Sequence, residues 1–241
     1  MFSIFDGHGG DSVSDYLESK YSTHIFEKLL ENDIITSDNE EYFKTIEKEI
    51  TNGIHEVDNN IIKMDTARIY TGSTLCSAVI QNNKYLTIAN VGDSRAVACD
   101  SQGNCITLTR DHKPSDEKEK QRIEDAGGAV TQIGEDCERV QGILAMTRSM
   151  GDASLKARKF LIVDPDVMTY HLTKDNFRFI IIASDGLFDV FEDEELIQKV
   201  NLYLQTNGNE SFPKLAHFLC LEAINHGTED NISVLIIKLS L

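Results

Sequence analysis

Tryptophan is absent from the 241 residues, proline occurs three times, and the five cysteines (Cys76, Cys99, Cys105, Cys137 and Cys220) form no CxxC pair. An odd, scattered set of thiols excludes a disulfide framework or a zinc ribbon as the organising principle and suits a reducing compartment. The expected location is therefore the cytoplasm, with the nucleus also open. Scarce proline and dispersed glycine leave no linker, repeat or low-complexity tract, so a single domain over 1–241 is expected. Long apolar runs are missing too. Phe179 to Ala183 and Val234 to Ile237 fall far short of the ~20 residues a spanning helix needs, and no basic stretch leads into the first strand-like residues. A soluble chain without a signal peptide is the expectation. Positive charge is in short supply: 23 Lys+Arg stand against 40 Asp+Glu, a formal net charge of −17. That balance argues against a nucleic-acid or anionic-membrane surface and is what a carboxylate-lined cation site leaves behind. What remains, 41% hydrophobic and 26% charged, is ordinary globular composition with enough length for a sizeable core.

Period separates the chain into regions. Val13, Leu17, Tyr21, Ile25 and Leu29 recur every fourth residue, and Phe43, Ile46, Ile50, Ile54, Val57 and Ile61 form a second stripe, so two helices are predicted. From Thr71 to Thr109 short β-rich runs (74–80, 85–91, 96–99, 106–109) alternate with turn-forming residues, which predicts an antiparallel meander with Gly92-Asp93-Ser94-Arg95 as a hairpin turn. Thr71-Gly72-Ser73-Thr74 reads as the start of a strand. A short helix over 117–126 closes at Gly127-Gly128, and Phe177 to Ser184 is strongly apolar, the mark of a fully buried strand. Helices around 193–204 and 212–225 and a last strand over 232–239 complete the pattern. The predicted class is α+β, sheet packed on sheet and covered by helices, with an irregular, flap-like lobe around 128–170.

Three β-type runs are bordered by aspartate in acid-rich turns: Asp6 in Phe5-Asp6-Gly7, Asp185 in Ser184-Asp185-Gly186, and Asp230 in Glu229-Asp230-Asn231. Each alone is an ordinary turn former. Together, at strand ends of one core, they suit a hard cation such as Mg²⁺ or Mn²⁺, which takes oxygen ligands and offsets the repulsion among the carboxylates. Gly7 permits close backbone approach, and a backbone carbonyl is itself a ligand for such ions. His8, beside these acids, reads either as a general acid or as a solvated loop histidine.

The ordered strings FDGHGG, TGST, ANVGDSRAV, LTRDHKP, RIEDAGGAV, RVQGILAMTRSMGD, PDV, IIIASDGLFDV and GTEDNISVLII resemble the metal-dependent serine/threonine protein phosphatases of type 2C over nearly the whole chain. The resemblance implies a four-layer αββα sandwich, two antiparallel sheets flanked by helices. It implies hydrolysis of phosphoserine and phosphothreonine in phosphoprotein substrates, with two Mg²⁺ or Mn²⁺ ions and a weaker third. Asp6 resembles the carboxylate bridging two ions, with the Gly7 carbonyl on one of them. Asp185 and Asp230 resemble ligands of the other, and Asp111 resembles a third-metal position that shares Asp185. His8 resembles the general acid. The implied mechanism is attack on phosphorus by a metal-bridged hydroxide, without a phosphoenzyme. Arg148 and Asp152 in TRSMGD are open between positioning the lobe and a structural salt bridge or turn, and Asp189 is left outside the site.

One departure qualifies that expectation. In the family, strands before the DGHGG element supply a phosphate-gripping arginine and an acidic pair for the second metal, whereas here Met1 stands five residues before Asp6. A chain truncated at its N-terminus is expected, with a weakly held second ion, low or absent activity, and an exposed sheet edge through which an otherwise monomeric protein associates. The alternatives are an inactive relative that acts as a binding or regulatory protein, and a Ca²⁺-binding module of another class.

Overall fold

The computed structural model describes residues 1–31, 40–64, 71–132, 134 and 137–239. Two antiparallel four-stranded sheets form its centre. In the first, β1 (Phe2–Ile4), β4 (Leu75–Gln81), β5 (Tyr85–Val91) and β11 (Asp166–His171) lie side by side in that order; in the second the order is β13 (Val234–Lys238), β12 (Phe177–Ala183), β6 (Arg95–Asp100), β7 (Cys105–Thr107). A ribbon of three short strands, β10 (Met150–Gly151), β3 (Gly72–Ser73) and β2 (Gly7–His8), and a hairpin of β8 (Val130–Thr131) with β9 (Arg139–Val140) are separate. The long helices are α1 (Ser12–Glu31), α2 (Glu40–Met64), α7 (Asp193–Asn207) and α8 (Leu215–Asn225). Shorter ones are α3 (Glu117–Asp125), α4 (Ala153–Lys156), α5 (Leu172–Asp175) and α6 (Asp185–Phe188).

Strand alternation sorts the core into three layers. Leu75, Val79, Tyr85 and Ala89 face the helical stripes of α1 and α2, where Leu17, Tyr21, Ile25, Ile50 and Ile54 are fully or almost fully buried. The intervening residues of the same strands, Cys76, Ala78, Leu86 and Ile88, face Ala96, Ala98, Ile180 and Ile182 of the other sheet. Beyond that sheet Val97, Cys99, Phe179 and Ile181 pack on Leu196, Val200 and Leu219 of α7 and α8. Both faces of β4, β5, β6 and β12 are thus covered, which is why these runs are mostly apolar rather than alternating with charged residues. Each large aliphatic chain so removed from water contributes about 1.5–3 kcal/mol. The result is the αββα sandwich expected from the sequence.

Local signals set the element ends. Asp116 caps α3 by accepting from the Lys118 and Glu119 N–H groups, and Gly127, at φ 81°, turns the chain away from it. Three expectations need correction. The 71–109 stretch is not one meander: β5 pairs with β4 and β11, whereas β6 pairs with β7 and β12. Gly92-Asp93-Ser94 therefore carries the chain from one sheet to the other rather than closing a hairpin. The expected irregular lobe ends sooner than drawn, because residues 166–171 form β11, paired with β5 through Asp166↔Asn90 to His171↔Tyr85. No residue of β11 is fully buried, so its apolar pattern is weak. Residues 133, 135 and 136 of that lobe lie outside the described residues. Finally, the helix expected from 212 begins as a 3₁₀ turn over Asn209–Lys214 and becomes α-helical only at Leu215, because Pro213 contributes no N–H. Among the described residues no helix is long and apolar enough to cross a membrane.

Candidate metal centre

Four chain segments meet at one end of the two sheets, and small residues let them approach. Asp6, between β1 and β2, is held by its backbone: its N–H donates to Thr74 Oγ1 at 3.0 Å and its carbonyl accepts from the Thr74 N–H at 2.9 Å. Thr74 Oγ1 is 2.7 Å from Ser94 Oγ, so the TGST segment ties Asp6 to the turn that bears Asp93. On the other sheet Asp185 opens α6 at the end of β12, beside the segment leading into β13. Ser184 joins the two: its N–H donates to the Ser233 carbonyl at 3.1 Å, its Oγ donates to the Asn231 carbonyl at 3.2 Å, and that Oγ accepts from the Ser233 N–H at 3.0 Å. A Cβ on Gly186 would collide with the Asn231 carbonyl oxygen, so glycine at 186 is what lets Asp230 draw near Asp185.

The carboxylates feel one another. Asp185 is pushed up to about 8 by burial and then by the negative charges of Asp93, Asp6, Asp189 and Asp230. Asp6 is raised by burial and by the charge of Asp230, while hydrogen bonding with Asp185 and the proximity of His8 act the other way. Asp93, 2% exposed, is pushed up to about 6, chiefly by burial; Lys113 opposes the rise and Asp111 and Asp6 add to it. One oxygen each of Asp93 and Asp185 is buried with no hydrogen-bond partner among the described residues. As placed, no three His, Cys, Asp or Glu side chains of the described residues converge tightly enough to hold an ion. The donors nevertheless fit a hard divalent cation: they are carboxylates that repel one another, and two have unsatisfied oxygens whose charge a cation would offset.

Asp111 is occupied otherwise. Arg95 grips it in a two-pronged contact, Nε to Oδ1 at 2.8 Å and Nη2 to Oδ2 at 2.7 Å, and its remaining arm reaches Asp193 at 2.7 Å. Lys113 bridges the same neighbourhood to Asp189 at 3.0 Å. Asp111 acts on the acid group through its charge on Asp93.

His8 is oriented by a residue whose part the sequence left open. Its Nε2 lies 2.7 Å from Asp152 Oδ2, which also accepts from Ser149 Oγ at 2.7 Å. Asp152 is 4% exposed and sits in the left-handed region at φ 50°, fixed by its N–H to the Thr71 carbonyl. The dyad crosses the middle strand of the β10–β3–β2 ribbon, in which Gly72 pairs with both His8 and Gly151. A Cβ at Gly72 would collide with Asp152 Oδ2 and His8 Nε2. With Nε2 engaged, Nδ1 is the imidazole nitrogen left without a partner among the described residues. Arg148, from the same motif, is instead structural: it binds Glu119 of α3 and reaches Asp166 at 3.1 Å. Asp93 was read from the sequence only as a turn residue, and Asp152 was left open between positioning and structure. The only signal was their place beside glycine, in GDS and MGD, which turns share.

The protein phosphatase 2C family pattern matches residues 1–232. A protein phosphatase 1L of Bos taurus is 38% identical over 99% of this chain and 63% of its own length, and a probable protein phosphatase 2C 71 of Arabidopsis thaliana is 35% identical over 99% and 48%. The chain thus spans about half to two thirds of these relatives. Among solved structures, a sex-determining protein of C. elegans superposes with a TM-score of 0.85 at 30% identity, over 99% of this chain and 56% of that one. A serine-threonine phosphatase 2C of Toxoplasma gondii superposes with 0.80 at 23%, over 99% and 84%, a likeness of fold. Layer order, the acidic strand ends and the matched family pattern agree: this chain belongs to the protein phosphatase 2C family.

Proposed function

We propose that the acid group hydrolyses phosphoserine and phosphothreonine esters of proteins with the help of Mg²⁺ or Mn²⁺. The observation that carries this is Asp185, whose buried oxygen lacks a partner among the described residues and whose pKa is pushed up to about 8 by burial and then by four neighbouring aspartates. Asp6, Asp185 and Asp230, with the Gly7 carbonyl, would hold the metal, and Asp111 would serve a weaker site only after yielding its contacts with Arg95. Divalent ions held there would supply the acidification of water and the charge to offset the phosphoryl group. The chain's own residues do the rest. Asp152 and Ser149 fix the His8 ring, whose imidazole would protonate a leaving seryl or threonyl oxygen. Thr74 and Ser94 keep the Asp6 segment in place, and the Ser184 hydrogen bonds keep Asp185 beside Asp230.

The test is hydrolysis of p-nitrophenyl phosphate across a Mn²⁺ titration. Saturable turnover, abolished by EDTA and by Asp185→Asn, is expected. No turnover at saturating Mn²⁺ would overturn the proposal for this chain and leave a binding protein in the phosphatase fold.

A further inference from the structure

Beside His8 the surface opens into a cavity of about 600 Å³. His8 and Asp152 form one wall. Leu144, Leu155 and Phe160 form an apolar part of its lining that continues into the small core of the lobe, where Phe160 packs with Ile123, Val140 and Leu161. Ile143 stands at its margin, 64% exposed, a large aliphatic side chain left in water. Two arginines, Arg139 and Arg158, complete the rim. Arg139 is anchored through its guanidinium to the Ile143 carbonyl at 3.3 Å, whereas Arg158 is exposed and makes no ion pair among the described residues. In a chain of net charge −17, two cations beside an apolar hollow are a local inversion of the surface.

Resting on the phosphatase reading above, we infer that this cavity is a side-chain subsite for the phosphoprotein: it takes an apolar residue flanking the phosphorylated one, with an adjacent acidic residue held by Arg158. The size lies inside the range of about 300–1,000 Å³ typical of ligand pockets, room for an aliphatic side chain and its neighbour together. The lining explains the apolar half of the preference, since burying a leucine against Leu144, Leu155 and Phe160 removes both surfaces from water. Arg158 explains the acidic half, by charge complementarity that the rest of this acidic protein opposes. The shared wall at His8 places the subsite next to where the leaving oxygen would stand.

Binding of fluorescent peptides in which a non-hydrolysable phosphonate replaces the phosphothreonine tests this directly. One peptide carries leucine and glutamate on both sides of that position, a second has alanine for leucine, and a third has lysine for glutamate. The full chain should bind the first about tenfold more tightly than the second and about fivefold more tightly than the third. Arg158→Glu should reverse the glutamate-over-lysine preference, and Ile143→Asp should weaken the leucine preference, while both variants keep p-nitrophenyl phosphate turnover within about twofold, because that substrate has no flanking residues. Equal affinity for all three peptides, or an unchanged preference in Arg158→Glu, would overturn the subsite. Inert p-nitrophenyl phosphate with the peptide preferences intact would sink the phosphatase reading and leave the subsite standing.

Discussion

Glycine at 72 shows how much one absent methyl group can decide. Its backbone is shared by three strands of the ribbon, and the space its side chain would fill holds the contact between His8 and Asp152. Gly72→Ala should therefore part the dyad while the two large sheets, to which it contributes nothing, stay folded. If His8 protonates the leaving group, phenyl phosphate hydrolysis should fall roughly a hundredfold, more than that of p-nitrophenyl phosphate, whose leaving group needs little protonation. The comparison of the two rates is the measurement; an equal loss for both would show that the dyad serves only to hold the ribbon. Gly186 works by the same logic on the opposite sheet, where it lets the segment bearing Asp230 lie against α6. Both glycines are visible in the sequence, but which atoms occupy the space they leave is a matter of chain crossing.

At the level of elements, the ribbon is tied to the helical layer by a buried ion pair. Asp58 of α2 is 3% exposed; its Oδ1 accepts from Lys156 Nζ of α4 at 2.6 Å and from the Gly151 N–H at 2.7 Å. Burial alone pulls the Lys156 ammonium below its ordinary pKa, and Asp58 opposes that fall. Removing one partner strands the other, so Asp58→Ala should cost about 3–5 kcal/mol in urea denaturation, whereas Asp58→Leu combined with Lys156→Met should recover much of it. A double variant no more stable than the single one would place the loss in the Gly151 hydrogen bond instead. The two long helices were legible because their stripes repeat every three or four residues over most of their length. β11 was not, since its residues are exposed or half-buried along its whole length, and the crossing at Gly92 to Ser94 was not, since two strands joined by a short turn look alike whether they pair or part.

Across the whole molecule, acids whose pKa values the fold shifts divide the pH response into two arms. Glu119 and Asp166 are held at about 2: burial of Glu119 works against this, but its hydrogen bonds and charge contact with Arg148 prevail, and Asp166 is lowered chiefly by His112. Their folded pKa values lie below the unfolded ones, so their stabilisation is present above about 4.5 and is lost as the pH falls toward about 2. Asp185 and Asp93 behave oppositely. With folded values of about 8 and about 6 against an ordinary 3.8, they keep protons that the unfolded chain has already released, so stability drops as the pH rises from about 3.8 through about 8. In EDTA the thermal midpoint should peak near about pH 4–5. Asp185→Asn should raise it at pH 8 and leave it nearly unchanged at pH 4, and Mn²⁺ should lift the alkaline arm of the wild type. A flat profile from pH 5 to 8 in EDTA would contradict the mutual repulsion described here.

Composition, period and motif order determined by themselves the class of fold, the helical faces, the doubly buried strand 177–183 and the family, because burial writes itself into the spacing of apolar residues and the family's strings are long. They also singled out Asp6, His8, Asp185 and Asp230, since acids at strand ends stand out against apolar runs. Only the tertiary structure decided that Asp93 enters the acid group, that Asp111 is gripped by Arg95, that Asp152 turns the His8 ring, and that two arginines face an apolar hollow beside it. Those are contacts between segments as many as 144 positions apart, and no local pattern records which residues the packing of two sheets will bring to the same edge.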